Sequence, residues 1–208
     1  MFNQILPAIR ATLVLAILTG LIFPFVITII AQFLFPDQAN GSLIHNQEGK
    51  VIGSKLIGQS FTNLGYFHPR PSAAGAGYDG VASGGTNLGP TSKKLIVGQI
   101  DDPNSKDIDE TFAGVKQLAE QYRNENGLSV NQKVPVDAVT RSGSGLDPDI
   151  STTNALLQAA RISRVRKLPF SIIVKLVHNH IEERQFDLLG EPRVNVLVLN
   201  LDLDQLKQ

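Results

Sequence analysis

From Ala11 to Phe35 the chain runs 25 residues without a charged side chain, longer than the roughly 20 apolar residues that cross a bilayer as a helix. In hydrocarbon a single segment satisfies its peptide groups only as a helix, so the stretch predicts one transmembrane helix. A lone span forms no pore. The polar content is mild (Thr12, Thr19, Thr28, Gln32), and no Asp, Glu, Lys, Arg or His lies inside it to relay an ion. A cleaved signal peptide is the competing reading, but its apolar core runs only about 7 to 15 residues before a small-residue site. Here Phe33, Leu34, Phe35 and Pro36 stand where that site belongs.

Arg10 precedes the span and Asp37 is the first charge after it. Positive flanks stay in the cytoplasm, which predicts a cytoplasmic N-terminus (1–10), an anchor (11–35) and an extracytoplasmic domain (36–208) at an inner, or plasma, membrane. Within the span Thr12, Ala16, Gly20, Pro24, Thr28 and Gln32 recur every four residues among Leu, Ile, Val and Phe. Small residues so spaced let a second helix approach closely, and the first five are the expected helix-packing positions.

Nineteen basic residues balance 19 acidic ones in 208, which gives no electrostatic footprint for nucleic acid. Cysteine is absent, which excludes disulfides, a thiolate nucleophile and a cysteine zinc site. Beyond the anchor the chain has the size of one domain.

Two short apolar runs, Ser42 to His45 and Lys50 to Leu56, flank Asn46, Gln47, Glu48 and Gly49, the pattern of a hairpin. From Gly58 to Gly98 the sequence turns rich in Gly, Ser, Pro and Asn and predicts no regular element of any length. Irregular segments this long are functional or disordered, and Phe61, Tyr66, Phe67 and Tyr78 argue against disorder. Those rings belong either to the domain's own core or to a partner's surface.

A helical period begins at Asp107 (Ile108, Phe112, Val115, Leu118, Ala119, Tyr122) and stops at Gly127. Pro135 to Thr140 reads as a strand and Arg141 to Pro148 as a loop. Ser151 is placed to cap a helix with Ala155, Leu156, Ala159, Ile162 and Val165 on one face, which Pro169 breaks. A third helix is expected from Ser171 to about Glu183, and Arg193 to Leu199 reads as a buried strand. The fold class is therefore α/β or α+β, with a small sheet and about three helices in one compact domain.

Chemical motifs are sparse. Gly84 and Gly89 have P-loop spacing, but Pro90 and Thr91 stand where Lys and Ser or Thr would hold phosphate and magnesium. Ser144 lacks the first glycine of a nucleophile elbow, since Ser142 occupies that place. His178 and His180 are two apart and point to different sides of a helix; His178 and Glu182 alone make a poor metal site. No catalytic, metal or firm cofactor residue emerges. From these residues alone, a membrane-anchored periplasmic hydrolase or binding protein acting alone stays open.

Three blocks carry a resemblance. The first is Gly58-Gln59-Ser60-Phe61-Thr62, Tyr66 through Ala74, Tyr78-Asp79 and Ser83 through Pro90; the second is Pro135 through Thr140, Ser142 through Pro148, Ile150-Ser151, Gln158 and Arg161; the third is Leu189 through Val196 with Leu199-Asn200-Leu201. Together with the single span and the length, they resemble the KdpC family, the C subunit of the bacterial Kdp potassium-transporting P-type ATPase. The loop from Asp101 to Asp107 is one departure and touches no named motif.

The resemblance implies an accessory subunit beside a channel-like potassium-translocating subunit and a P-type ATPase subunit. It also implies a catalytic chaperone that raises the ATPase subunit's affinity for ATP. Such a chain is no enzyme itself, and ATP and potassium act on the complex. This sequence has neither an Asp-Lys-Thr-Gly phosphorylation motif nor a Thr-Val-Gly-Tyr-Gly filter. Gln158 and Arg161 are weak nucleotide candidates, in tension with a topology that puts them outside while ATP is inside. The expected partner interface is Gly58 to Pro90, with Phe67, Arg70, Tyr78 and Asn87 as its contacts and Arg70 offering a planar fork.

Overall fold

A computed structural model describes residues 2–46, 48–98 and 112–206. The chain divides after Ser54 into two units, Met1–Ser54 and Lys55–Gln208. The expected helical residue Ile108 and the loop from Asp101 to Asp107 lie outside the described residues.

The first unit opens with a 3₁₀ turn, Phe2–Gln4, and one continuous helical rod, Ile5–Leu34. Its parts are α1 (Ile5–Ile17), a π turn (Leu18–Ile22) and α2 (Phe23–Leu34). The rod begins six residues before Ala11, so Pro7 and Arg10 lie in the helix. Pro7 is tolerated because the first turn's amides have no intrahelical partner. At about 1.5 Å per residue the rod spans roughly 45 Å, more than the roughly 30 Å of hydrocarbon.

The π turn has a local cause. Pro24 has no N–H, and its ring opposes the carbonyl four residues back, at Gly20, so the preceding turn widens. Thr28 Oγ1 donates to the Pro24 carbonyl at 2.8 Å. Thr12, Ala16, Gly20, Pro24 and Thr28 are all exposed on this rod, and a Cβ built on Gly20 would meet nothing within 4 Å. The rod ends at Phe35, followed by α3 (Pro36–Ala39). The hairpin is as expected: β1 (Leu43–His45) pairs antiparallel with β2 (Val51–Ser54).

The second unit starts with the irregular stretch, interrupted only by α4 (Lys93–Val97), whose cap Ser92 accepts from the Leu95 N–H. Then come α5 (Val115–Asn126), closed by Gly127 at φ +67, and a 3₁₀ turn at Val136–Ala138 where a strand was expected. Asp137 is the reason: its carboxylate accepts from Ser151 N, Ser151 Oγ and Asn154 Nδ2 at 2.7 to 3.0 Å, which fixes a turn against the next helix.

β3 (Asp149–Ser151) leads into α6 (Thr152–Arg166), capped by Ser151 as the sequence predicts. Ala155, Ala159 and Ile162 are fully buried, whereas Val165 is exposed. α7 (Phe170–Asn179) stops four residues short of Glu183, because β4 (Ile181–Glu182) turns into the sheet. The expected strand Arg193 to Leu199 is only three residues long: β5 (Arg193–Asn195) passes directly into α8 (Val196–Gln205). Asn195 accounts for the switch, its side chain accepting from Val198 N at 3.1 Å as an N-cap.

The sheet is antiparallel in the order β3-β5-β4. Against it pack α6, α7 and α8, enclosing Ile150, Ile173, Val177, Val194, Leu199 and Leu203 around Phe67. A smaller cluster centres on Tyr122, Ala138 and Val139. Each fully buried Leu, Ile or Phe contributes about 1.5–3 kcal/mol, which accounts for a stable fold without disulfides.

Candidate functional site

The glycine-rich segment folds onto the loop from Arg141 to Pro148, backbone against backbone. Gly58 N donates to Leu146 O at 2.8 Å and Gly84 N to Ser144 O at 2.9 Å. Ser83 Oγ donates to the same Ser144 carbonyl, and Ser72 Oγ to Gly145 O. Such approach requires glycine: a Cβ on Gly58 would stand 2.5 Å from Asp147 O. Gly145, at φ +69, would put one 2.6 Å from Ala74 N.

Arg70 closes this clasp. Its Nη1 donates to Asp147 Oδ2 at 2.6 Å and its Nη2 to Thr140 O at 3.3 Å. The planar fork expected to reach a partner thus engages a carboxylate and a carbonyl of its own chain. Tyr78 donates its hydroxyl to Arg70 O. Burial, then the Asp147 charge, pushes the Tyr78 phenol above its ordinary range, so it remains a neutral donor.

A second layer grips residues 64–68. Asn200 of α8 accepts from Phe67 N at 2.8 Å and donates to Phe67 O at 2.9 Å. Gln158 of α6 does the same for His68, at 2.7 and 3.0 Å. Two side-chain amides therefore take the place of neighbouring strands for two consecutive residues, satisfying groups that would otherwise be costly to bury.

Arg161, one turn after Gln158 and 2% exposed, donates through Nε to Asn126 Oδ1 at 3.1 Å and through Nη1 to Leu64 O. Its Nη2 reaches Tyr66 O at 3.0 Å and Gln158 Oε1 at 2.8 Å. Burial pulls the guanidinium below its ordinary value, with the Glu125 and Tyr122 charges acting in the opposite direction. Arg161 and Gln158 are enclosed in the domain and bonded to its own backbone, a geometry that does not present them to a nucleotide.

The other expected contacts separate. Phe67 is 0% exposed, so its ring belongs to the core and not to a surface. Asn87 is exposed, in a left-handed turn at φ +53. Arg70 and Tyr78 line a cleft of about 190 Å³ together with Phe61, His68, Tyr122 and Glu125. There His68 Nδ1 faces Glu125 Oε2 at 3.2 Å and Nε2 faces Asn63 O at 3.0 Å. The bond to His68, ahead of other causes, holds the Glu125 carboxyl below its ordinary value.

A larger cleft of about 450 Å³ lies beside the sheet, lined by Lys55, Asp149, His180, Glu182, Arg193 and Asn195. Arg193 bridges Asp149 at 2.9 Å and Glu182 at 2.8 Å, and His180 Nε2 meets Asp202 at 2.9 Å. Burial raises the Asp149 carboxyl. His178 is exposed, and among the described residues no group of three or more His, Cys, Asp or Glu is arranged to hold a metal ion. Ser144 Oγ accepts from Leu146 N and lies 3.4 Å from Ser142 Oγ.

Sequence reasoning missed Asn126, Asp137, Asn154 and His68 as members of this network, and Asn200 as the clamp on Phe67. A signal was present in part. Asn154, Gln158 and Arg161 are spaced four and three apart, one polar stripe beside the apolar face of α6.

Residues 5–205 match the family model described as "KdpC: K+-transporting ATPase, c chain". Relatives named potassium-transporting ATPase KdpC subunit are similar along nearly the full length. That of Mycobacterium tuberculosis (strain ATCC 25618 / H37Rv) is 47% identical over 206 residues, covering 99% of this chain and 100% of the relative. That of Myxococcus xanthus is 49% identical over 205 residues, 99% of this chain and 89% of the relative. That of Gemmatimonas aurantiaca is 48% identical over 207 residues, 99% of this chain and 94% of the relative.

Proposed function

The chain belongs to the KdpC family, the c chain of K+-transporting ATPases, and from that premise we propose that it is an accessory subunit that braces its partners from outside the cytoplasm. As a subunit of a potassium-transporting ATPase it has partner subunits, and its rod Ile5–Leu34 is long and apolar enough to cross a membrane. The proposed partners are a channel-like potassium-translocating subunit and a P-type ATPase subunit. The proposed orientation, N-terminus in and domain out, rests on Arg10 before the apolar core and Asp37 after it.

In this reading the stripe Thr12, Ala16, Gly20, Pro24 and Thr28 packs against a partner's membrane helix. The surface formed by Gly58 to Pro90 meets the channel subunit, with Arg70, Tyr78 and Asn87 at or near it and Phe67 supporting it from beneath. The subunit binds one conformational state of the complex better than the others and so raises the pump's affinity for ATP by linkage, with no nucleotide contact of its own.

The observation that carries this is the clamp on residues 64–68: Arg161, Gln158 and Asn200 hold the segment's backbone in place from the buried side. A surface ordered in advance loses little entropy on docking. The test is the ATP affinity of the purified complex with the full chain, with residues 1–54 only, and with residues 55–208 only. Loss of affinity on removing either part is expected; unchanged affinity in both cases overturns the coupling. Protease added to spheroplasts is expected to cleave the domain, and a protected Gln208 end overturns the orientation.

A further inference from the structure

Between β4 and β5 the chain forms a projecting turn whose apex is apolar. Phe186 is 92% exposed, Leu188 76% and Leu189 56%. The turn is regular: Gln185 bridges Leu189, Leu188 N donates to Gln185 O at 3.1 Å and Asp187 N to Arg184 O at 3.1 Å. Phe186 and Asp187, its two central residues, both have positive φ, at +55 and +58. Turns of this type select Asn-Gly or Asp-Gly, and an aromatic side chain there is strained. The domain gains no packing from the ring in return.

The charges around the apex choose between a bilayer and a protein as its occupant. Glu182, Glu183, Asp187 and Glu191 stand against Arg184 and Arg193 in the same stretch. Arg184 is held by Glu191 at 2.6 Å, and Arg193 by Glu182 and Asp149. Asp187 sits between Phe186 and Leu188, the two most exposed apolar residues of the turn, and would be dragged into hydrocarbon with them. An anionic lipid surface attracts basic clusters, the opposite of this one.

We propose that the Phe186–Leu189 apex is a docking knob that inserts into an apolar pocket, rimmed by a cationic or donor group facing Asp187, on another subunit of the same ATPase. The inference rests on the reading of the chain as a complex subunit and names a contact outside the Gly58 to Pro90 surface. Exposed aromatics that become buried on association dominate interface energies, so this short turn is a main grip and not a peripheral one.

Phe186→Gly tests it, because the two roles of the residue then pull apart. Glycine accepts φ +55, so the full-length variant in detergent is expected to melt at the same temperature or higher. Its retention by the larger subunits is expected to weaken about tenfold or more, the loss typical of a buried anchor. Val130→Gly, which removes an apolar side chain 85% exposed elsewhere and outside the Gly58 to Pro90 surface, is expected to leave retention unchanged. A photo-crosslinking residue at 186 is expected to join a larger subunit. Unchanged retention of Phe186→Gly, or crosslinks only to lipid or to a second copy of this chain, overturns the knob. If the wild-type chain itself fails to hold the larger subunits, the subunit reading falls and the knob with it.

Discussion

Two of the domain's stretches without helix or strand are secured in opposite ways. The Gly58 to Pro90 segment is gripped from below by Arg161, Gln158 and Asn200 and from the side by Arg70 with Asp147. The turn from Arg184 to Gly190 is held by hydrogen bonds among its own residues and exposes three large apolar side chains. Irregular backbone is therefore not one physical category. Buried polar side chains that bond its peptide groups make a loop as fixed as a strand, while a loop satisfied only locally stays dispensable to the fold.

The largest effect expected from breaking this contrast is Arg161→Met. It leaves the Leu64 and Tyr66 carbonyls and the Asn126 amide without their buried donor, at about 3–5 kcal/mol, read from chemical denaturation of the full chain. New protease cleavage between Gly58 and Pro90 should accompany it. Gly145→Ala comes next: at φ +69, with a Cβ 2.6 Å from Ala74 N, it should cost about 2–3 kcal/mol. A loss equal in size to an ordinary surface substitution would show that the clasp is loose.

A smaller effect is tied to pH. The Glu125 carboxyl is held low, chiefly by its bond to His68, so its stabilisation is complete above the ordinary carboxylate pKa of about 4. That stabilisation is lost as pH falls through the lowered folded value. Glu125→Gln should cost about 0.5–1 kcal/mol at neutral pH, kept small by solvent around a partly exposed pair, and should flatten the acid side of a stability profile. Least of all, Leu188→Ser in the projecting turn should change stability of the free chain by under about 0.5 kcal/mol.

Much of the fold was legible because its signals are local. The apolar rod, the hairpin around Asn46 and Gly49, the Ser151 cap and the Gly127 stop each follow from a few neighbouring residues. The C-terminus misled because Val and Leu at 194 to 199 suit a buried strand, whereas Asn195 caps a helix that buries Leu199 and Leu203 four apart. The two ends of the site differ in the same sense. Glycines 58 and 145 stand in stretches that the sequence reads as irregular or loop, though their close approach shows only in the structure, and pattern rules send Gln, Asn and Arg to the surface. A buried network in which Gln158, Arg161 and Asn200 reach partners 90, 97 and 133 residues away in the chain has no local signature. Tertiary placement, which spacing does not show, puts the weak nucleotide candidates Gln158 and Arg161 in a clamp and Phe67 in the core.

Amide hydrogen exchange on the full-length chain in detergent tests the contrast most directly. The N–H groups of Phe67 and His68, bonded to Asn200 and Gln158, should be protected as strongly as the middle of α6, while those of Phe186 and Asp187 exchange orders of magnitude faster. Exchange at Phe67 and His68 as fast as at the projecting turn would contradict the claim that the glycine-rich segment is a surface ordered in advance.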